Sequence, residues 1–226
     1  MTAGGQAEDL LAVTDRFDRS DRGWWLAVVA VALAVAVPLL AAAGWEGYSH
    51  RTQYISELGA EAAPDGALVS IGFLLIGLML LAFTGWFAVR RKAAGLLLVG
   101  VLMVGGAVGV SYAVSGVARC DPGCPDVDAS TEQLVHNLTG TLAYTVAIGG
   151  IALFGLAGRS DERWGAVARA SLVAAPVMLV VAMAIPVADE WRGLLQRIVE
   201  VGQMGFLLAV ALRSRSGPEA PWVPPP

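Results

Sequence analysis

The chain has 226 residues, of which 56% are hydrophobic and 15% charged, whereas a soluble domain carries about 25% charged residues. Its mean hydropathy is +0.65. A formal net charge of −4 without a basic stripe excludes the electrostatic footprint of a nucleic-acid binder, and two cysteines are too few for a disulfide scaffold.

Residues 1–23 are polar and carry Arg16, Arg19 and Arg22, which reads as a cytoplasmic tail with a weak amphipathic turn around Leu10, Leu11 and Phe17. Residues 24–44 follow without a charge. A membrane span needs about 20 apolar residues, and this run exceeds the roughly 7–15 residues of a signal-peptide core, so it is read as a retained first helix. A polar loop then holds Trp45, Tyr48 and Tyr54, aromatics suited to the water–lipid boundary. The second span covers 67–89 and stops at Arg90-Arg91-Lys92. The third covers 93–117, with Gly105 and Gly109 as a small-residue face for close helix contact.

A second loop covers 119–133. Its end, Ser130-Thr-Glu-Gln133, has capping-box form and starts a fourth helix over 134–156. The fifth, over 164–187, contains Pro176 and Pro186, which predicts a kink. The sixth, over 191–212, is apolar enough to enter a bilayer yet carries Gln196, Arg197, Glu200 and Gln203. The tail, 213–226, is Pro-rich. The fold class is therefore all-α, a polytopic membrane bundle of six transmembrane helices over 24–212. Ten Lys/Arg fall on the N-terminal side of the spans and three (Arg51, Arg119, Arg192) on the other. The positive-inside rule then puts both termini in the cytoplasm, in a plasma (inner) membrane. Arg dominates the basic residues, with Lys92 as the lone lysine, and Ala, Gly and Val are frequent; that bias fits a GC-rich bacterial genome.

Four stretches hold chemistry-bearing groups. In loop one, Tyr54-Ile-Ser56-Glu57-Leu-Gly59 offers either a carboxylate facing the bundle or a capped turn whose Glu57 meets solvent or Arg51. Loop charges are usually solvated, which favours the second reading. In loop two, Cys120-Asp121-Pro-Gly-Cys124 is turn chemistry that brings the cysteines together. A local disulfide is favoured over a metal site with Asp121, Asp126, Asp128 and His136, because one Cys-x3-Cys pair is a weak metal signal. In helix four, His136, Gly140 and Tyr144 share one face. In helix six, Gln196, Glu200 and Gln203 lie within about 60° of one another and Arg197 can reach Glu200 at i+3. Charged groups inside a membrane helix are expensive, so this face turns inward; it is either an Arg197–Glu200 pin or part of a polar cavity.

Tyr54-Ile-Ser-Glu-Leu-Gly59, Cys120-Asp-Pro-Gly-Cys-Pro125 followed by His136, and Gly193-Leu-Leu-Gln-Arg-Ile198 together resemble the bacterial domain-of-unknown-function 998 family of small multi-spanning membrane proteins. The resemblance runs from the first helix to the sixth. It implies that Ser56, Glu57, Asp121, His136 and Arg197 occupy family motif positions and assigns them no roles.

The leading expectation is an extracytoplasmic-facing pocket that binds a membrane lipid or an amphipathic, lipid-like or isoprenoid molecule, with Ser56, Asp121, Tyr144, Gln196, Arg197 and Gln203 as ligand contacts. A second is an enzyme on a lipid or isoprenoid substrate, with Glu57, His136 and Glu200 doing acid–base work. A third is a transporter or assembly partner. No cofactor motif and no two-His metal motif appears.

Overall fold

A computed structural model describes residues 22–90, 95–125 and 127–215. The expected amphipathic turn near Leu10, the arginines Arg16 and Arg19, Arg91, Lys92, Asp126 and the tail beyond Arg215 lie outside the described residues. The described part is helical, with no strand, and has six helices long and apolar enough to cross a membrane. They are α1 (Trp24–Ala43), α2 (Gly66–Arg90), α3 (Leu96–Ser115), α4 (Thr131–Gly158), α5 (Gly165–Ala184) and α6 (Arg192–Ser214). Two short 3-10 turns, Ser56–Gly59 and Ile185–Val187, sit in loops one and three. Loop one joins α1 to α2, loop two α3 to α4, and loop three α5 to α6. The boundaries match the sequence expectation to within a few residues, because each span ends where polar or turn residues make further lipid contact costly.

Each helix packs on its successor and α6 returns to α1, so the six close into a ring. Association in lipid depends on close van der Waals packing rather than on removal of apolar surface from water. Glycines provide it here. A Cβ on Gly100 would lie 2.8 Å from the Gly150 carbonyl oxygen, and the converse holds, so α3 and α4 touch backbone to backbone. Gly109 packs against Leu81 and Gly77 of α2, and Gly105 against Thr84, as its small-residue spacing predicts. At the end of the bundle holding the α4–α5 turn, aromatic rings fill the interior. Phe154 meets Phe206 at 5.0 Å and Trp164 at 5.7 Å, and Phe87 meets Trp164 at 6.1 Å.

The other end is organised by loop one. The chain folds back so that Ile55, Glu57, Leu58 and Gly59 are buried. Glu57 is only 3% exposed. Its carboxylate accepts the Tyr54 N–H at 2.8 Å and the Gln53 amide at 3.0 Å, and it lies 3.8 Å from an Arg192 nitrogen. The expectation that Glu57 meets solvent or Arg51 is therefore corrected: Arg192, from the start of α6, is its ion partner, and the carboxylate organises the turn. Gly193 is required where it stands, since a Cβ there would lie 2.8 Å from the Gln53 carbonyl carbon.

Candidate functional site

The α6 polar stripe does not act as one unit; each rung has its own partner. Gln196 accepts the Ile55 N–H at 2.6 Å and ties α6 to loop one. Arg197 donates to the carbonyls of His50 (3.0 Å), Gln53 (3.0 Å) and Gly193 (2.8 Å) and to the Tyr48 hydroxyl (2.6 Å). Glu200 accepts from the Tyr144 hydroxyl at 2.8 Å and the Tyr112 hydroxyl at 3.2 Å. Of the two arrangements the sequence left open, the Arg197–Glu200 pin does not form. Arg197 turns toward the loop carbonyls, which match its fork of donors, while Glu200 turns into the bundle. Gln203, one turn deeper, is 1% exposed and its side-chain nitrogen has no partner among the described residues.

Tyr48 links the arginine to the loop. Its hydroxyl donates to the Tyr54 carbonyl at 2.8 Å while accepting from Arg197. Burial pushes the phenol above its ordinary range, with Arg197 pulling the other way, so it stays a neutral donor. The neighbouring His50 imidazole is held below its usual value by desolvation and then by Arg197.

Loop two is locked by its own hydrogen bonds. Cys120 and Cys124 form a disulfide across a Cα–Cα distance of 5.3 Å. The Asp121 carboxylate accepts the Ser130 N–H at 2.8 Å and the Ser130 hydroxyl at 2.7 Å, and these two bonds hold it below its ordinary pKa. Ser130 caps α4 by accepting the Gln133 N–H at 3.1 Å. Only half of the anticipated capping box forms, because Gln133 sends its side chain to the Asp121 N–H (2.7 Å) and to Asn137 (2.8 Å) instead.

Between these anchors lies an open cavity of about 420 Å3, within the loop-one end of the bundle; small-molecule sites span roughly 300–1,000 Å3. Its polar wall comes from α3, α4 and α6 and includes Tyr112, His136, Asn137, Tyr144, Gln196 and Glu200. Its apolar wall is mainly α5, with Leu179, Ala182 and Met183, together with Phe73 and Ile148. Ser56 and Cys124 line the rim, where the Ser56 hydroxyl meets the disulfide sulfur at 3.5 Å. His136 Nδ1 lies 3.1 Å from the Ala118 carbonyl. A carbonyl can only accept, so Nδ1 carries the hydrogen and Nε2 is an acceptor in the neutral ring.

Of the residues singled out from sequence, Ser56, His136, Tyr144, Gln196 and Glu200 are brought together around the cavity. Glu57, Asp121, Arg197 and Gln203 are not among its lining residues; the first three hold the loops. The polar lining also includes residues not singled out from sequence, among them Tyr112 of α3, which clamps Glu200, and Asn137 of α4, which accepts from the Gln133 amide. The signal for Tyr112 was the Ser111-Tyr112 and Ser115 grouping inside an otherwise apolar span.

A family model described as "Protein of unknown function (DUF998)" matches residues 28–213. No curated protein and no solved structure matches the chain.

Proposed function

This chain belongs to the DUF998 family of unknown function, and from its own geometry we propose that it is a membrane protein whose loop-end cavity binds the polar part of an amphipathic small molecule or lipid. The observation that carries this reading is the two-sided lining: a wall of hydroxyl, amide, imidazole and carboxylate groups faces a wall of aliphatic side chains. Leu179 and Met183 are 47% and 68% exposed as well as lining the cavity. That pattern supports an entrance between α4 and α5, through which an acyl chain stays in lipid while its polar end sits inside.

Binding is preferred to acid–base catalysis because His136 and Glu200 are each engaged by the protein itself. His136 stands eight residues before Tyr144 on α4, a rise of about 12 Å, and Tyr144 contacts Glu200, so the two groups meet a ligand at separate points. An acid–base group must reach the proton it moves within about 3 Å or through one water, and the Nδ1 of His136 and both carboxylate oxygens of Glu200 already hold partners in the protein. The bias of basic residues supports cytoplasmic termini and a cavity facing the far side of the membrane. A cysteine placed at Ser160 then stays unlabelled by an impermeant reagent in intact cells.

The test is lipid analysis of the purified chain. An amphiphile enriched over bulk membrane lipid should be retained by the wild-type protein and lost from Glu200→Ala. Identical co-purifying lipid in both would contradict the proposal.

A further inference from the structure

We infer that the ligand of this cavity is an amphipathic primary amine whose ammonium group sits against the Glu200 carboxylate. This rests on the binding reading above and adds the charge of the ligand.

The described cations of this end are all engaged elsewhere. Arg51 stacks over the Trp191 ring at 5.2 Å. Arg119 donates to the carbonyls of Gly59 and Ala60, each at 2.8 Å. Arg192 serves Glu57, the Thr52 carbonyl at 2.9 Å and the face of the Tyr54 ring at 4.8 Å. Arg197 is spent on its four acceptors around loop one. Every described arginine of this end therefore braces a loop, and among the described residues no Lys or Arg lines the cavity.

Glu200 is left without a counter-charge among the described residues. Counting from Arg192 it lies about 12 Å along α6. A carboxylate at such depth either takes up a proton or pairs with a cation, and a bound cation is what would keep it ionised. The two tyrosines orient the carboxylate but carry no charge. They also use only two of its roughly four lone-pair sites. A primary ammonium brings one positive charge and three donors. Two can reach the free lone pairs of the carboxylate, and a third can reach a phenol oxygen, since each hydroxyl that donates to Glu200 still accepts. An alcohol would fill the hydrogen bonds and leave the charge. A carboxylate would set two negative groups together, an unfavourable like-charge contact.

The shared chemistry is an amine, carried either by a lipid head group or by a single-chain amphiphile. The test uses the full chain in phosphatidylcholine nanodiscs and three probes of equal chain length: dodecylamine, dodecanol and dodecanoate. Dodecylamine should bind at least about 10-fold more tightly than dodecanol, with dodecanoate weakest, and the preference should collapse in Glu200→Gln. The wild-type ranking decides the matter even where that variant does not fold. Dilauroyl phosphatidylethanolamine, added as competitor, separates the sources: displacement of dodecylamine assigns a lipid head group, and no displacement a single-chain amine. Dodecanol binding as tightly as dodecylamine would overturn the inference. If Gly140→Leu then still weakens both probes, the cavity reading survives its loss; if Gly140→Leu weakens neither, that reading falls too.

Discussion

Gly140 offers the cleanest way to close the cavity without touching a hydrogen bond. It lines the cavity on α4, one turn from His136 and one from Tyr144, and a Cβ built on it meets nothing within 4 Å. Gly140→Leu therefore starts its side chain in open space at the cavity wall. The helix gains intrinsic propensity, because glycine costs about 0.8–1 kcal/mol relative to alanine and leucine ranks close to alanine. The fold should be as stable as wild type, or up to about 1 kcal/mol more stable. A ligand forced to share the space meets an overpacking cost of roughly 1–3 kcal/mol, which weakens it roughly 5- to 150-fold. The assay is mass spectrometry of retained amphiphile beside denaturant unfolding of the same sample. Gly85→Leu is the control: Gly85 also has nothing within 4 Å but lies on an exposed face of α2 away from the cavity. Undiminished retention in Gly140→Leu, or equal loss in Gly85→Leu, would refute the reasoning.

Three further outcomes follow from the anchors around the cavity. Arg197→Ala leaves the carbonyls of His50, Gln53 and Gly193 without their shared donor and should cost about 3 kcal/mol of stability, with Arg197→Lys restoring only part; an unchanged unfolding midpoint would show that Arg197 does not brace loop one. The Cys120–Cys124 bridge, with a sequence separation of 4, closes a short loop worth about 2 kcal/mol, so Cys124→Ser should lose that much, and titration of the denatured, unreduced wild type should find no free thiol. The Asp121 carboxyl titrates below its ordinary value because Ser130 donates to its ionised form. Its contribution is therefore complete above that ordinary value and is lost as pH falls through the lowered one. Amide exchange at the first turn of α4 should rise over that acid window in wild type and be insensitive to it in Asp121→Ala.

Most of the architecture was legible because its causes are local. Apolar runs of span length, Gly105 and Gly109 at contact spacing, and Ser130 as a cap each act within one segment. The polar stripe of α6 was legible for a different reason: charged and amide groups in an apolar helix are costly, so their inward orientation follows without knowing the partners. The partners were not legible. Whether Arg197 meets Glu200 or loop one depends on how close His50 and Gln53 come, and Gly193 permits that approach through a tertiary contact. Glu57 was misjudged for the same reason. A loop carboxylate is ordinarily solvated, but Arg119, Arg192 and Arg197 donate to the carbonyls of this loop, and Glu57 is buried within it. Tyr112 escaped notice because a phenol fits the apolar pattern of α3 until its hydroxyl finds Glu200 across the bundle.

The disposition of charge is the common thread. The loops consume the arginines, the tyrosines hold Glu200 without neutralising it, and the space in front of that carboxylate is bounded on its far side by aliphatic groups. The most direct test is an experimental structure of the full chain in lipid nanodiscs at a resolution that shows bound amphiphiles. The account predicts elongated density that enters between α4 and α5 and ends within about 3 Å of the Glu200 carboxylate. A cavity closed by repacked side chains, or an Arg197 side chain turned inward to pair with Glu200, would contradict it.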